Sequence, residues 1–157
     1  MAGEQYSGFT LNAVDAKARV SVPAWLRTVL DTRSSPRTLT IGPSEFDDCL
    51  VGYDQDHGVR VRAELEAQYA GDYSRDRAVA LRRAFGRSVA LNVDDGYRIT
   101  LTPLLRQLAG IERHVYFVGS GEYFELWDPR TFLAQPGLDA PSAKICRYEM
   151  ALKGEAE

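Results

Sequence analysis

Histidine and cysteine are scarce in this sequence, with two of each among 157 residues. His57 and His114 are too few and too separated to assemble a metal centre with the two thiols. Cys49 and Cys146 lie outside any Cys-x-x-Cys pattern. That favours two reduced, packed thiols, with a single disulfide as the alternative. No apolar run approaches the roughly 18 residues a membrane span requires. The opening MAGEQYSGFT has neither a basic start nor a long apolar stretch, so no secretory signal and a cytosolic location are expected. Glycine patterns that cradle nucleotides, of the Walker or Rossmann kind, do not occur. Gly119-Ser120-Gly121 lacks the Gly-x-Ser-x-Gly spacing and falls between two strand-like runs instead of at a strand-to-helix elbow. His57 reads as a surface residue of an acidic loop. These gaps exclude a membrane partner and argue against an enzyme. No cofactor, no metal and no small-molecule substrate are expected.

The chain also lacks the strong basic excess of a general nucleic-acid binder: Lys and Arg total 19 against 22 Asp and Glu, for a net charge of −3. Its charge is, however, segregated. Residues 44–56, SEFDDCLVGYDQD, carry five acids and no base. Residues 15–37 carry Lys17, Arg19, Arg27, Arg33 and Arg37 against Asp15 and Asp31, and residues 75–87 are basic too. Such separation lets an acidic protein present a cationic face to phosphate, although solvated faces are the plainer reading of each run.

What the sequence does have is a repeat. VDAKARVSVPAWLR (14–27) aligns without a gap on VDDGYRITLTPLLR (93–106), sharing Val, Asp, an Arg four residues after the Asp, and a closing Leu-Arg. Pro23 and Pro103 each open a helix-like run, with Thr102 as an N-cap in the second. TLTIGPSEFDDCLVGYD then corresponds to VYFVGSGEYFELWD, each read as strand, Gly-containing turn and strand, with Gly42 matched to Gly119 in the turns and Tyr53-Asp54 to Trp127-Asp128. The boundaries expected are a first repeat over 1–56, connecting helices over 57–87, a second repeat over 88–134, and a linker and helix over 135–157. Two units of this size have thin cores and should pack together or with other subunits. Trp25, Tyr116, Phe117, Phe124 and Trp127 are expected in core or interface.

Strand alternation sets the facing of the repeated segment. Ala18, Val20 and Val22 share one face, with Arg19 and Ser21 on the other; Tyr97, Ile99 and Leu101 face inward, with Arg98, Thr100 and Thr102 outward. An arginine fork beside short hydroxyls suits a phosphate or a base edge. Equally, Asp15–Arg19 and Asp94–Arg98 can be read as ion pairs that only close a turn. Spacing alone leaves both readings open.

VDAKARVSVPAWLR is similar to the Asp-x-Lys-Gly-Arg-φ-Ser-φ-Pro signature (φ, apolar) of the MraZ transcriptional regulators. VDDGYRITLTPLLRQLAGIERHVYFVGSGEYFELWD resembles the second signature of that family, and Tyr6 and Gly8 resemble its aromatic-x-Gly lead-in. The resemblance spans residues 6 to about 134. It implies an α+β chain built as a duplicated AbrB-like swapped-hairpin (double-psi) β-barrel with flanking helices and a pseudo-two-fold axis within the chain. It further implies a homo-oligomer, a ring, binding double-stranded DNA with direct repeats in the promoter of the division and cell-wall gene cluster, as a repressor in the nucleoid-associated cytoplasm. Matched position by position, the family's DNA contacts fall on Lys17, Arg19 and Arg98. Asp15 and Asp94 are the turn-shaping acids, and Ser21 and Thr100 are candidate phosphate contacts.

The chain departs from the signatures at four motif positions and in the lead-in, where the basic residue common in the family is Ser7. The Gly before each signature Arg is Ala18 in one copy and Tyr97 in the other, so a positive φ there implies strain. Asp95 puts an acid where members often carry a cation, and Gly96 holds no charge. The alternative these departures define is an AbrB-like barrel that oligomerises or binds a protein partner, with weak or lost DNA binding.

Overall fold

A computed structural model of the chain describes residues 5–33 and 37–155. The chain folds as α+β, with antiparallel strands and, among the described residues, six helices. Elements occur twice in one order. The first series is β1 (Phe9–Ala13), β2 (Arg19–Ser21), α1 (Ala24–Arg33), β3 (Thr38–Pro43), β4 (Leu50–Tyr53), α2 (Gln55–Gln68) and α3 (Arg75–Phe85). The second is β5 (Val89–Asn92), β6 (Arg98–Thr100), α4 (Pro103–Ala109), β7 (His114–Gly119), β8 (Phe124–Trp127), α5 (Pro129–Leu133) and α6 (Ala140–Leu152).

Strands pair across the two series. One sheet runs β1-β7-β8-β4-β3-β5, and β2 with β6 forms a separate two-stranded ribbon. β1 of the first series lies on β7 of the second, while β5 of the second lies on β3 of the first. The registers correspond: Ala13 opposes His114, and Thr38 opposes Asn92. Val51 opposes Glu125 at the middle of the β4–β8 pair, and Val20 opposes Ile99 at the middle of the ribbon. Neither series can form the sheet alone.

Alternation explains the shared core. Val20 and Val22, then Ile99 and Leu101, are buried from the two ribbon strands, as their spacing predicts. They meet Leu26 and Leu30 of α1, Leu105 of α4, Leu39 and Ile41 of β3, and Val115 and Phe117 of β7 in one cluster. The other face of β7 is also covered. Tyr116 packs with Trp127, Phe132, Cys146 and Met150 under α5 and α6. Both cysteines are free and buried. Trp25 packs half-buried against the main core, and the other four aromatics expected there are buried.

Several expectations need correction. Gly42 and Gly119 lie in the ends of strands, not in turns. The hairpin registers match Gly42 to Val118, one residue from the sequence pairing, because Thr40 opposes Tyr53 while Tyr116 opposes Trp127. Each glycine serves close approach: a Cβ at Gly119 would sit 2.4 Å from the Tyr6 carbonyl oxygen, and one at Gly42 would sit 2.9 Å from Ser88 Cβ. Pro23 precedes α1 instead of lying within it, and its carbonyl accepts from Leu26 and Arg27. Within the linker and helix expected over 135–157, the helix itself takes Ala140–Leu152, where Asp139 caps it by accepting from the Ser142 N–H. His57 is not a loop residue. It lies in the first turn of α2, only 12% exposed at its side chain, and burial depresses its pKa, opposed by Glu122 3.7 Å away.

Candidate nucleic-acid interface

The two Asp-x-x-x-Arg corners are built alike. Asp15 accepts the Lys17 and Arg19 backbone N–H groups at 2.9 Å on Oδ1, and Arg19 Nε at 3.0 Å on Oδ2. Asp94 accepts the Arg98 backbone N–H at 2.9 Å and Arg98 Nε at 3.2 Å. These bonds, led by the backbone N–H of the corner's own arginine, hold both carboxyls below the usual carboxylate range. Each acid therefore closes its turn and fixes its arginine at once. Nε makes the side-chain bond in both corners, so that bond does not use the terminal Nη donors.

The ribbon then brings the corners together. Arg19 opposes Thr100, and Ser21 opposes Arg98. Cross-strand neighbours of this kind have Cβ atoms about 4.5–5.5 Å apart, so each arginine stands beside a hydroxyl from the other half of the chain. Ser21 and Thr100 are exposed, and Lys17 is exposed in the first turn. The Arg19 and Arg98 side chains are 28% and 38% exposed, so neither guanidinium is sealed in the core. Every residue singled out in the sequence thus lies on this ribbon or in its turns. Gly96 occupies the position matching Lys17 and brings no cation.

Both corners use left-handed backbone at non-glycine residues: φ is 62° at Ala18 and 57° at Tyr97. This conformation costs about 1–2 kcal/mol for an L-residue. It persists because each carbonyl is tied to the opposite half. Ala18 accepts from the Leu101 N–H and Tyr97 from the Val22 N–H, both at 2.8 Å. Ala18→Gly removes a Cβ from such a position and should stabilise the fold by about 0.5–1 kcal/mol. A thermal melt reads this as a rise of a few degrees; a lower midpoint would show that the corner is not strained.

Tyr6, Arg33 and Asp54 form a buried polar lock that the sequence reading did not single out. Asp54 is fully buried and caps α2 by accepting from the His57 N–H. Its Oδ2 also accepts from the Tyr6 hydroxyl at 2.6 Å and lies 3.4 Å from Arg33 Nε. Burial, then the Asp54 contact, pushes the Tyr6 hydroxyl far above its ordinary pKa. Asp128, its match in the second half, is buried too and caps α5. The available signal was an Asp ahead of a helical run in both copies. The acidic stretch meets the basic one directly, since Glu45 pairs with Arg83 and Arg87 at 2.9 and 2.8 Å. Among the described residues, no three His, Cys, Asp or Glu side chains group as metal ligands, and no helix is long and apolar enough to cross a membrane.

Two interleaved α+β halves, each presenting the same acid-braced arginine corner on a shared ribbon, define the class of this protein. Comparison with known proteins supplies the family. Residues 84–137 match the family model described as "MraZ protein, putative antitoxin-like". The chain is 36% identical over 126 residues to "Transcriptional regulator MraZ" of Rickettsia bellii (strain OSU 85-389), covering 80% of this chain and 82% of that protein. It is 34% identical over 132 residues to the protein of the same name from Burkholderia vietnamiensis (strain G4 / LMG 22486), covering 83% of this chain and 87% of that one. The chain belongs to the MraZ family. The family is one of transcriptional regulators and not of enzymes.

Proposed function

We propose that this chain regulates transcription as a sequence-specific DNA-binding repressor, acting as a homo-oligomeric ring on tandem direct repeats upstream of the division and cell-wall gene cluster. The observation that carries this reading is the β2–β6 ribbon, where Arg19 and Arg98 stand part-exposed beside Thr100 and Ser21. Guanidinium forks read guanine edges or clamp phosphates, and short hydroxyls add phosphate bonds. Lys17, Arg19 and Arg98 are assigned to DNA contact, Ser21 and Thr100 to phosphate, and Asp15 and Asp94 to shaping the turns. The architecture proposed is a duplicated AbrB-type swapped-hairpin barrel with a pseudo-two-fold axis. Its repeats occupy 1–56 and 88–134, with connecting helices between them and a C-terminal segment after. The strand exchange between halves supports this reading. Its working place is the nucleoid.

A net charge of −3 suits such a role when subunits act side by side. Each brings few cations, so one subunit holds a duplex weakly. Further contacts made by an assembled ring are intramolecular, and avidity then exceeds single-site affinity by ~10²–10⁴. Gel shifts on duplexes with one, two and four repeats test this: affinity should climb steeply with repeat number. Equal affinity for all three duplexes contradicts the ring-on-repeats reading.

A further inference from the structure

Tyr97 is where the second corner differs most from the first. Its backbone is left-handed, and its ring reaches the first half of the chain. There Arg37 Cζ lies 4.2 Å and Arg27 Cζ 5.0 Å from the ring centroid, both within cation–π range. Arg37 Nη2 donates to the Tyr97 hydroxyl at 2.7 Å, and that hydroxyl donates to Asp31 Oδ2 at 3.0 Å. Arg37 Nε lies 3.1 Å from Asp31 Oδ1, and the Arg37 carbonyl accepts from the Val93 N–H, next to Asp94. Arg27 differs from Arg37. Its Nε is buried without a hydrogen-bond partner, and it makes no ion pair among the described residues.

Charge shows what this arrangement can supply. The first corner sets Lys17 and Arg19 against Asp15, a balance of +1. The second sets Arg98 against Asp94 and Asp95, a balance of −1. Taken alone, the second corner would repel a phosphate that the first attracts. Arg27 and Arg37 against Asp31 add +1, which brings the second corner to neutrality and places two further forks at its edge. The Arg37 side chain is 38% exposed and within reach of a ligand.

We propose that Tyr97 is a bracket holding Arg27 and Arg37 as an auxiliary contact for DNA backbone phosphate beside the second corner, replacing the cation that Gly96 does not provide. This rests on the DNA-binding reading above. Arginine forks held on an aromatic face suit a phosphate oxygen, whereas a protein partner would need an acidic or apolar complement; Arg37 is the more open of the two, and at Arg27 the contact falls to the outer nitrogens, since its Nε is buried. Tyr97 is a positioning residue, and Arg27 and Arg37 are the contacts.

The test is a salt titration of binding to a duplex taken from the DNA upstream of this protein's own coding region. Each lost phosphate contact lowers the slope of log affinity against log salt by about 0.9 and, at 0.1 M monovalent salt, affinity by about eightfold. Arg27→Gln should produce that loss without moving the melting midpoint, and Arg27→Lys should retain the slope. Tyr97→Phe should lower affinity with little change in melting midpoint, since it keeps the packed ring and removes only the hydroxyl's bonds to Arg37 and Asp31. A purely structural tyrosine would not separate the two readouts. Should Tyr97→Phe melt far below wild type, Arg27→Gln decides. If Arg19→Ala loses binding while Arg27→Gln keeps wild-type slope and affinity, the bracket is overturned and the corner reading stands. If the wild-type protein ignores the duplex, the DNA reading itself fails and the bracket with it.

Discussion

Arg19→Ala should abolish operator binding while leaving assembly and thermal stability close to wild type. The side chain sits on the polar face of β2, outside the buried clusters, and its partner Asp15 is exposed. Removing it therefore opens no cavity and leaves no buried charge unpaired. The binding loss is large for a different reason. A bidentate arginine contact is worth about 1–3 kcal/mol, and the substitution removes one from every subunit engaged on tandem sites. Even the low end of that range, summed over a few subunits, exceeds 100-fold. Arg98→Ala should act in the same direction with a smaller effect, because Asp94 and Asp95 weaken that corner's pull on phosphate from the start. Gel shifts paired with size-exclusion chromatography and melting curves give both readouts. A variant that unfolds or falls apart would make the Asp15–Arg19 pair a structural clasp and nothing more.

Asp54→Ala should be among the most destabilising single substitutions in the chain. One fully buried carboxylate holds the Tyr6 hydroxyl, faces Arg33 and caps α2. Taking it away costs the cap and leaves a buried hydroxyl and a 9%-exposed arginine without their shared acceptor. Breaking a buried ion pair from one side costs about 3–5 kcal/mol. At this chain length that is a drop of roughly 10 °C in melting midpoint. Asp54→Asn keeps an acceptor for the cap and should fall between wild type and alanine. Tyr6→Phe should cost about 1–2 kcal/mol, since it removes one hydrogen bond and retains the ring that packs on Phe124. If alanine at residue 54 melts like wild type, the lock is not holding the lead-in segment to α1 and α2.

Local features were legible in the sequence because they are set locally. Period-two alternation placed Val20, Val22, Ile99 and Leu101 inside and the arginines outside. Thr102 ahead of Pro103 marked the start of α4, and the Ala-Gly at its end corresponds to a left-handed cap at Gly110. The repeat itself was visible by eye. The identity of strand partners was not readable in the same way. In a repeated sequence β1 and β5 carry similar patterns, so nothing local shows that β1 pairs with β7 and not with β3. The one-residue shift between Gly42 and Gly119 escaped for a related reason: both glycines answer to a neighbouring backbone, not to a turn. Asp54 was counted as one acid in a solvated run because its burial depends on Tyr6 and Arg33, which are distant in sequence. Tyr97 was flagged as a strained replacement for glycine, but its three partners on the first half become visible only once the halves are interleaved.

The most direct test of the central claim is site-specific photo-crosslinking to operator DNA. A photoreactive side chain at Ser21 or at Thr100 sits between the two arginines on the exposed face of the ribbon. One at Phe46 stands almost wholly exposed in the acidic loop, between Glu45 and Asp47. Adducts with DNA should form from positions 21 and 100 and not from 46. Crosslinking from position 46 with none from the ribbon would place the nucleic acid on another face and contradict the account.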